Sequence, residues 1–238
     1  MRTLTLILVL LALAQPAAAD PTVAIASDSI AVTYPVNYVP PVQGWGAFMP
    51  TYIPSGVVWR NDAVGGTSTK SFIALGYWAA TIATHPQFIL IQFGANDQRI
   101  AGDVHTEPDT TYRANLHQMI VDARAIGAEP ILLTPFCLRQ AAADGIHVLR
   151  PGLLEPYAAA MRTQATVDAV GLIDMSTWSL DRYDALTISV GQALYGYDVS
   201  PGVPDVTHFN AYGADRAALE IATKLRVVSP NFASATPP

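Results

Sequence analysis

The chain has 238 residues, 51% of them hydrophobic and 13% charged, with a single cysteine. Apolar material in that proportion and length is enough to bury a large core, which excludes disorder and argues against a string of small modules. A formal charge of −6 without any run of Lys or Arg excludes a nucleic-acid footprint and disfavours anionic membrane surfaces, because neutralising phosphates needs clustered bases.

Arg2 precedes an apolar stretch at 4–14, followed by Gln15-Pro16 and Ala17-Ala18-Ala19. This is the charge, apolar core and small-residue pattern of a secretory signal peptide, residues 1–19, with cleavage expected after Ala19 and a secreted or periplasmic product. Eleven residues fall well short of the ~20 a helix needs to cross a bilayer, and no later stretch is long enough either, so no integral membrane span is expected. Loss of Arg2 leaves 12 bases against 19 acids, a formal −7 on the mature chain. Export makes Cys137 informative. One cysteine offers no internal disulfide, so core packing must carry stability, and between Phe136 and Leu138 the thiol reads as buried and structural.

From Thr22 onward, short β-branched runs alternate with longer segments of helical period, the pattern of an α/β protein in which helices wrap a parallel sheet. Strands are expected at about 22–27, 56–60, 87–93, 130–134 and 170–173. Trp45, Phe48, Met49 and Tyr52 fit the core face of a helix kinked at Pro50. The segment 110–126 puts Tyr112, Leu116, Met119, Ile120 and Ala123 on one stripe and stops at Gly127. A last helix from about 211 to 226 carries Ala214, Ala217, Ala218, Ile221 and Leu225 inward, with Lys224 and Arg226 suited to its C-terminal dipole. One domain is expected over 20–228, with a loose tail at 229–238.

Several common signatures are absent: Gly-x-Ser-x-Gly, His-Glu-x-x-His, Cys-x-x-Cys, the Walker loop and Gly-x-Gly-x-x-Gly. The five histidines lack ligand spacing, so neither a metal nor another cofactor is expected. What remains is polar residues placed directly after strands. Ser27-Asp28-Ser29 follows the first, Asn61 to Gly66 the second, and Gly94-Ala95-Asn96-Asp97 the third. In an open doubly wound sheet ligands bind beyond the carboxyl ends of the strands, so these three segments converge. Taken singly, each has a plain structural reading as a helix cap, a tight bend or a turn.

A serine hydrolase also needs a base, and two Asp-x-x-His pairs are present, Asp144/His147 and Asp205/His208. With 15 Asp and 5 His, chance alone supplies about 0.3 such pairs, so position must decide. Asp205 and His208 lie just ahead of the last helix, where a short turn lets a carboxylate hold the imidazole while its far nitrogen meets a serine. Asp144 and His147 read as a turn in a long connection.

The chain here resembles the SGNH or GDSL-type hydrolases, in their rhamnogalacturonan acetylesterase-like branch, from about Val23 to Arg226. The carriers are Ser27-Asp28-Ser29, Gly44-Trp45-Gly46, Asn61-Asp62-Ala63-Val64-Gly65-Gly66, Gln92-Phe93-Gly94-Ala95-Asn96-Asp97, Thr111-Tyr112-Arg113-Ala114-Asn115-Leu116 and Asp205-Val206-Thr207-His208-Phe209-Asn210. The resemblance implies a flavodoxin-like three-layer α/β/α sandwich around a five-stranded parallel sheet, with no cofactor. It implies Ser29 as nucleophile, His208 as base and Asp205 as the orienting carboxylate. The implied oxyanion hole is the backbone N–H of Ser29, that of Gly66, and the side-chain amide of Asn96. Three positions depart from the family pattern: Ser27 for glycine, Thr67 for arginine and Ala95 for histidine. At Ser27 either the Cβ crowds the turn or the hydroxyl caps it locally.

The implied substrate is an acetylated polysaccharide or oligosaccharide, from which a secreted serine esterase would remove acetyl groups. Tyr34 and Tyr38, in a proline-broken segment, and Tyr197, ahead of the Asp205 block, are candidate sugar-stacking rings. A −7 chain gains no general attraction for a pectic polyanion. Arg60, Lys70 or Arg139 would compensate locally, or the polymer is neutral, as acetylated xylan is. A short-chain lipid esterase, lysophospholipase or thioesterase of the same fold, and a catalytically silent carbohydrate-binding protein, are the alternatives.

Overall fold

A computed structural model of the chain describes residues 20–39, 41–141, 147–150, 152–184, 205 and 207–236. Residues 1–19, for which a signal peptide is expected, lie outside the described residues, as do Asp144, Tyr195 and Tyr197.

Seven strands occur among them: β1 (Thr22–Ser27), β2 (Val58–Asn61), β3 (Phe88–Gln92), β4 (Glu129–Leu133), β5 (Leu138–Ala141), β6 (His147–Arg150) and β7 (Gly171–Ile173). Five of them form one parallel sheet in the order β2-β1-β3-β4-β7, at the five places the sequence predicts. The middle strands are unbroken apolar runs because helices cover both faces, and every residue of 23–26 and 89–91 is fully buried. This order reverses direction between β1 and β3, and the crevice at that switch point is where a doubly wound sheet holds its ligand.

The helices are α1 (Met49–Tyr52), α2 (Thr69–Ala74), α3 (Tyr77–Ile82), α4 (Arg113–Ala125), α5 (Glu155–Val167), α6 (Met175–Asp184), α7 (Ala211–Val228) and α8 (Pro230–Ala235). On one face of the sheet, Val23, Ile25, Leu90 and Ile131 pack with Trp45, Met49 and the inward stripe of α7. That stripe is the predicted one, and its alanines let the helix close tightly on the strands. On the other face, Ala26, Ile89, Ile91 and Leu132 pack with Phe72, Trp78 and the predicted stripe of α4. Among the described residues no helix is long and apolar enough to cross a membrane.

Three details differ from expectation. The single kinked helix over 45–52 is a 3-10 turn, Trp45–Ala47, followed by α1 with Pro50 in its first turn. Proline lacks the N–H that a continuous helix needs, so the two pieces part at Phe48. Trp45 and Met49 are buried as predicted, whereas Phe48 and Tyr52 pack at the core margin. Second, β5 and β6 pair as an antiparallel ribbon in the long connection after β4, too short to show a period-two signal of its own. Third, residues 229–235 are not loose. Ser229 caps α8 by accepting the Phe232 N–H, and Phe232 sits in the core edge-on to Phe88, with ring centroids 5.3 Å apart. A Ser-Pro start and one large apolar side chain are enough to anchor this short segment.

Candidate active site

The site is assembled from loops at the carboxyl ends of β1, β2 and β3 and from the segment ahead of α7. After β1 the chain turns at once: Asp28 Oδ1 accepts the Ile30 N–H at 3.0 Å, and the Asp28 carbonyl accepts the Ala31 N–H at 3.2 Å. This closes a tight turn on Ser29, whose carbonyl also accepts the Tyr34 hydroxyl at 3.3 Å. Across the cleft, Asn210 caps α7 by accepting the Gly213 N–H. Just before it, Asp205 Oδ1 accepts the N–H groups of Thr207 and His208, each at 2.8 Å. Asp205 Oδ2 faces His208 Nδ1 at 2.9 Å, and His208 Nε2 lies 3.0 Å from Ser29 Oγ. Burial raises the Asp205 pKa, but the imidazole and the two N–H groups outweigh it and hold the carboxyl below its ordinary range. The chain therefore presents a hydroxyl, an imidazole and a carboxylate in line.

The second loop is held against the first by Asn61, which donates to the Ala31 carbonyl at 2.7 Å, and by the Val64 N–H on the Ser27 carbonyl at 3.0 Å. Gly66, at φ +78°, turns the backbone into the cleft in a conformation that side chains resist. In the third loop Asn96 donates one amide N–H to the Thr67 carbonyl at 2.9 Å and accepts from Arg99 Nη1 at 3.3 Å. These three loops and His208 enclose a cleft of about 650 Å³ that includes Ser29, Tyr34, Tyr38, Gly66, Asn96 and Arg99 in its walls. Tyr34 and Tyr38 stack obliquely at 4.7 Å on its lip. A second cavity of about 630 Å³ lies at the opposite end of the strands among Gln87, Arg124, Glu129 and Asn231, away from these groups.

Beneath the cleft floor lie two carboxyls that sequence reading leaves without a role. Asp97 accepts from the Thr69 N–H, from the Thr69 hydroxyl at 2.6 Å and from the Thr106 hydroxyl at 2.9 Å, tying the third loop to the start of α2. Burial pushes its pKa up to about 6 against those bonds. Asp28 rises to about 7, from burial first and repulsion by Asp97 second, with the Ile30 N–H and His208 opposing. Asp97 follows Asn96 directly in the sequence, but nothing there shows that both carboxyls are buried.

Other expectations need correction. The Ser27 hydroxyl is no local cap: it is buried and has no hydrogen-bond partner among the described residues. Arg60 is paired with Asp62 at 2.9 Å and Lys70 with Asp103, and neither lines the cleft. The Arg139 side chain, like Tyr197, lies outside what is described. Among the described residues, the Arg or Lys in the cleft wall is Arg99, three residues beyond Asn96 on the same turn, a proximity that would have marked it. Cys137 is buried, its thiol directed at the Ser176 carbonyl at 3.4 Å, and burial pushes its pKa up, as befits a structural thiol.

Residues 28–216 match the model of the GDSL-like Lipase/Acylhydrolase family. The chain is 32% identical over 187 residues to a Bacillus subtilis protein named probable rhamnogalacturonan acetylesterase YesY, covering 77% of this chain and 83% of that one. It is 31% identical over 206 residues to rhamnogalacturonan acetylesterase RhgT of the same organism, covering 83% and 84%. The solved structure of Bacillus subtilis YxiM superposes with a TM-score of 0.71 at 26% identity, covering 87% of this chain and 56% of that longer one. Axe2, an acetylxylan esterase from Geobacillus stearothermophilus, shares the fold at TM-score 0.64 and 17% identity, over 88% and 94% of the two chains. With the match spanning every loop of the cleft, the chain belongs to the GDSL-like lipase/acylhydrolase family and is a carboxylic ester hydrolase.

Proposed function

We propose that this protein is a secreted esterase that removes O-acetyl groups from a plant-type polysaccharide, rhamnogalacturonan, pectin or xylan, through an acyl-enzyme on Ser29. The observation that carries this reading is the continuous line from Ser29 Oγ to His208 Nε2 at 3.0 Å and from His208 Nδ1 to Asp205 Oδ2 at 2.9 Å, on the wall of an open cleft. His208 takes the serine proton as Ser29 Oγ attacks the acetyl carbonyl, and Asp205 stabilises the imidazolium that forms. The Ser29 and Gly66 N–H groups and the Asn96 amide receive the developing oxyanion. The sugar hydroxyl leaves with the proton from His208. Water, activated by the same imidazole, then attacks the acetyl-enzyme to release acetate and regenerate Ser29.

The acetyl and polysaccharide parts of the reading are supported by the names of the relatives, and export by the N-terminal signal pattern. The test is acetate release from acetylated rhamnogalacturonan, pectin and xylan beside a Ser29→Ala control, with a chain-length series of 4-nitrophenyl esters. Release that Ser29→Ala abolishes, with a sharp decline by octanoyl, is expected. A preference for octanoyl over acetyl would make the protein a lipid esterase instead.

A further inference from the structure

We propose that Arg99 selects a carboxylate-bearing substrate, by docking the carboxylate of a uronate on or beside the acetylated sugar. The proposal rests on the esterase reading above and names the substrate class of the same cleft. The Arg99 N–H closes a turn on the Asn96 carbonyl at 3.0 Å, and its exposed side chain lies along the cleft wall. Among the described residues no carboxylate lines that wall, because Asp205 is 4% exposed behind the imidazole and Asp28 is 2% exposed beneath the floor. Arg60, Lys70, Arg162 and Arg216 each have a carboxylate within ion-pair distance, whereas among the described residues Arg99 has none. In a chain with an excess of acids, the cleft thus carries an uncompensated cation.

The chemistry of that cation is specific. A guanidinium presents parallel N–H donors that match the two oxygens of a carboxylate. Among the described residues only Nη1 is engaged, on Asn96 Oδ1 at 3.3 Å, which leaves the rest of the fork for a ligand. Since the other end of the same amide is the proposed oxyanion donor, a carboxylate on Arg99 lies within the reach of one sugar ring from the ester under attack. A neutral polymer such as xylan offers nothing to this group, so its binding leaves the guanidinium partly desolvated without compensation.

The decisive measurement is kcat/KM for wild type, Arg99→Gln and Arg99→Lys on an acetylated oligogalacturonate and an acetylated xylo-oligosaccharide of equal length. The uronate-to-neutral ratio is expected to fall about 10- to 100-fold in Arg99→Gln, mainly through KM, and to recover in part in Arg99→Lys. An unchanged ratio overturns the proposal, including the case in which Arg99 merely orients Asn96 and both substrates lose rate equally. A second measurement needs no turnover: calorimetric binding of unacetylated oligogalacturonate to Ser29→Ala protein with and without Arg99→Gln. Weaker binding by a similar factor in the Arg99→Gln protein, and a Kd in the parent that rises from about 50 mM to about 500 mM NaCl, support the carboxylate contact. Equal Kd values in the two proteins overturn it. Failure of every acetylated polymer to release acetate tells against the esterase reading and leaves this binding result to judge Arg99.

Discussion

Asp205 holds His208 at two points, through the main-chain N–H on Oδ1 at 2.8 Å and through ring Nδ1 against Oδ2 at 2.9 Å. A turn of four residues thereby orients the imidazole toward Ser29 before any substrate arrives. Replacing Asp205 by Ala frees the ring and removes the negative partner of the imidazolium. We expect kcat on 4-nitrophenyl acetate to fall by about 10²- to 10⁴-fold. A loss below about threefold would remove Asp205 from the mechanism.

Asn96 is fixed at both ends of its amide, by the Thr67 carbonyl and by Arg99, so its orientation is set without substrate. If its second N–H meets the oxyanion, Asn96→Ala lowers kcat by roughly 10²- to 10³-fold with a small change in KM. Steady-state kinetics on an acetyl ester decides this, and an unchanged kcat would take Asn96 out of the oxyanion hole.

Ser27 buries a hydroxyl that has no partner among the described residues, at the end of β1 opposite Gln92. Hiding a hydroxyl from water without a hydrogen bond costs on the order of 1–3 kcal/mol. Ser27→Ala is therefore expected to raise the unfolding free energy in urea by about 1 kcal/mol at constant m-value. A lowered midpoint would show that the hydroxyl finds a partner after all.

Asp28 sets a pH dependence of stability. Its pKa is about 7 in the folded chain against an ordinary 3.8, chiefly because burial disfavours the carboxylate. The folded state therefore holds a proton that the unfolded state releases between those pH values, and this contribution to stability is full below about pH 4 and lost as pH rises through about 7. Asp28→Asn keeps the side-chain oxygen that the Ile30 N–H needs and removes the titration. Urea midpoints between pH 4 and pH 8 should decline less in Asp28→Asn than in the wild type, and parallel curves would contradict the assignment.

Phe232 ties the end of the chain into the core at 1% exposure. Its truncation to Ala leaves a cavity beside Phe88, for which the expected cost is about 3–5 kcal/mol. A change below about 0.5 kcal/mol in urea unfolding would mean that α8 contributes nothing to the core.

Much of the architecture was legible because it rests on local or periodic signals. β1, β3 and β4 carry apolar runs bounded by polar turns, and the stripes of α4 and α7 repeat at helical spacing, so each announces its own burial. Ser29, Gly66 and Asn96 stand out for the same reason, as polar or glycine positions directly beyond strands. The β5–β6 ribbon and α8 did not stand out. Four residue pairs in one and a single apolar anchor in the other leave too little pattern, and tertiary contacts decide their structure.

From residue order alone came the fold class, the strand positions and the short Asp205–His208 turn, since all three depend on neighbours along the chain. Only the tertiary structure decided which charges are silent and which are available. Arg60 and Lys70 are matched by acids, Asp28 and Asp97 lie buried 69 positions apart in sequence yet close enough to repel, and Arg99 on the cleft wall has no acid partner among the described residues. Burial and ion pairing are properties of neighbours in space, where the electrostatic energy of a side chain is set, and spacing along the chain does not encode them.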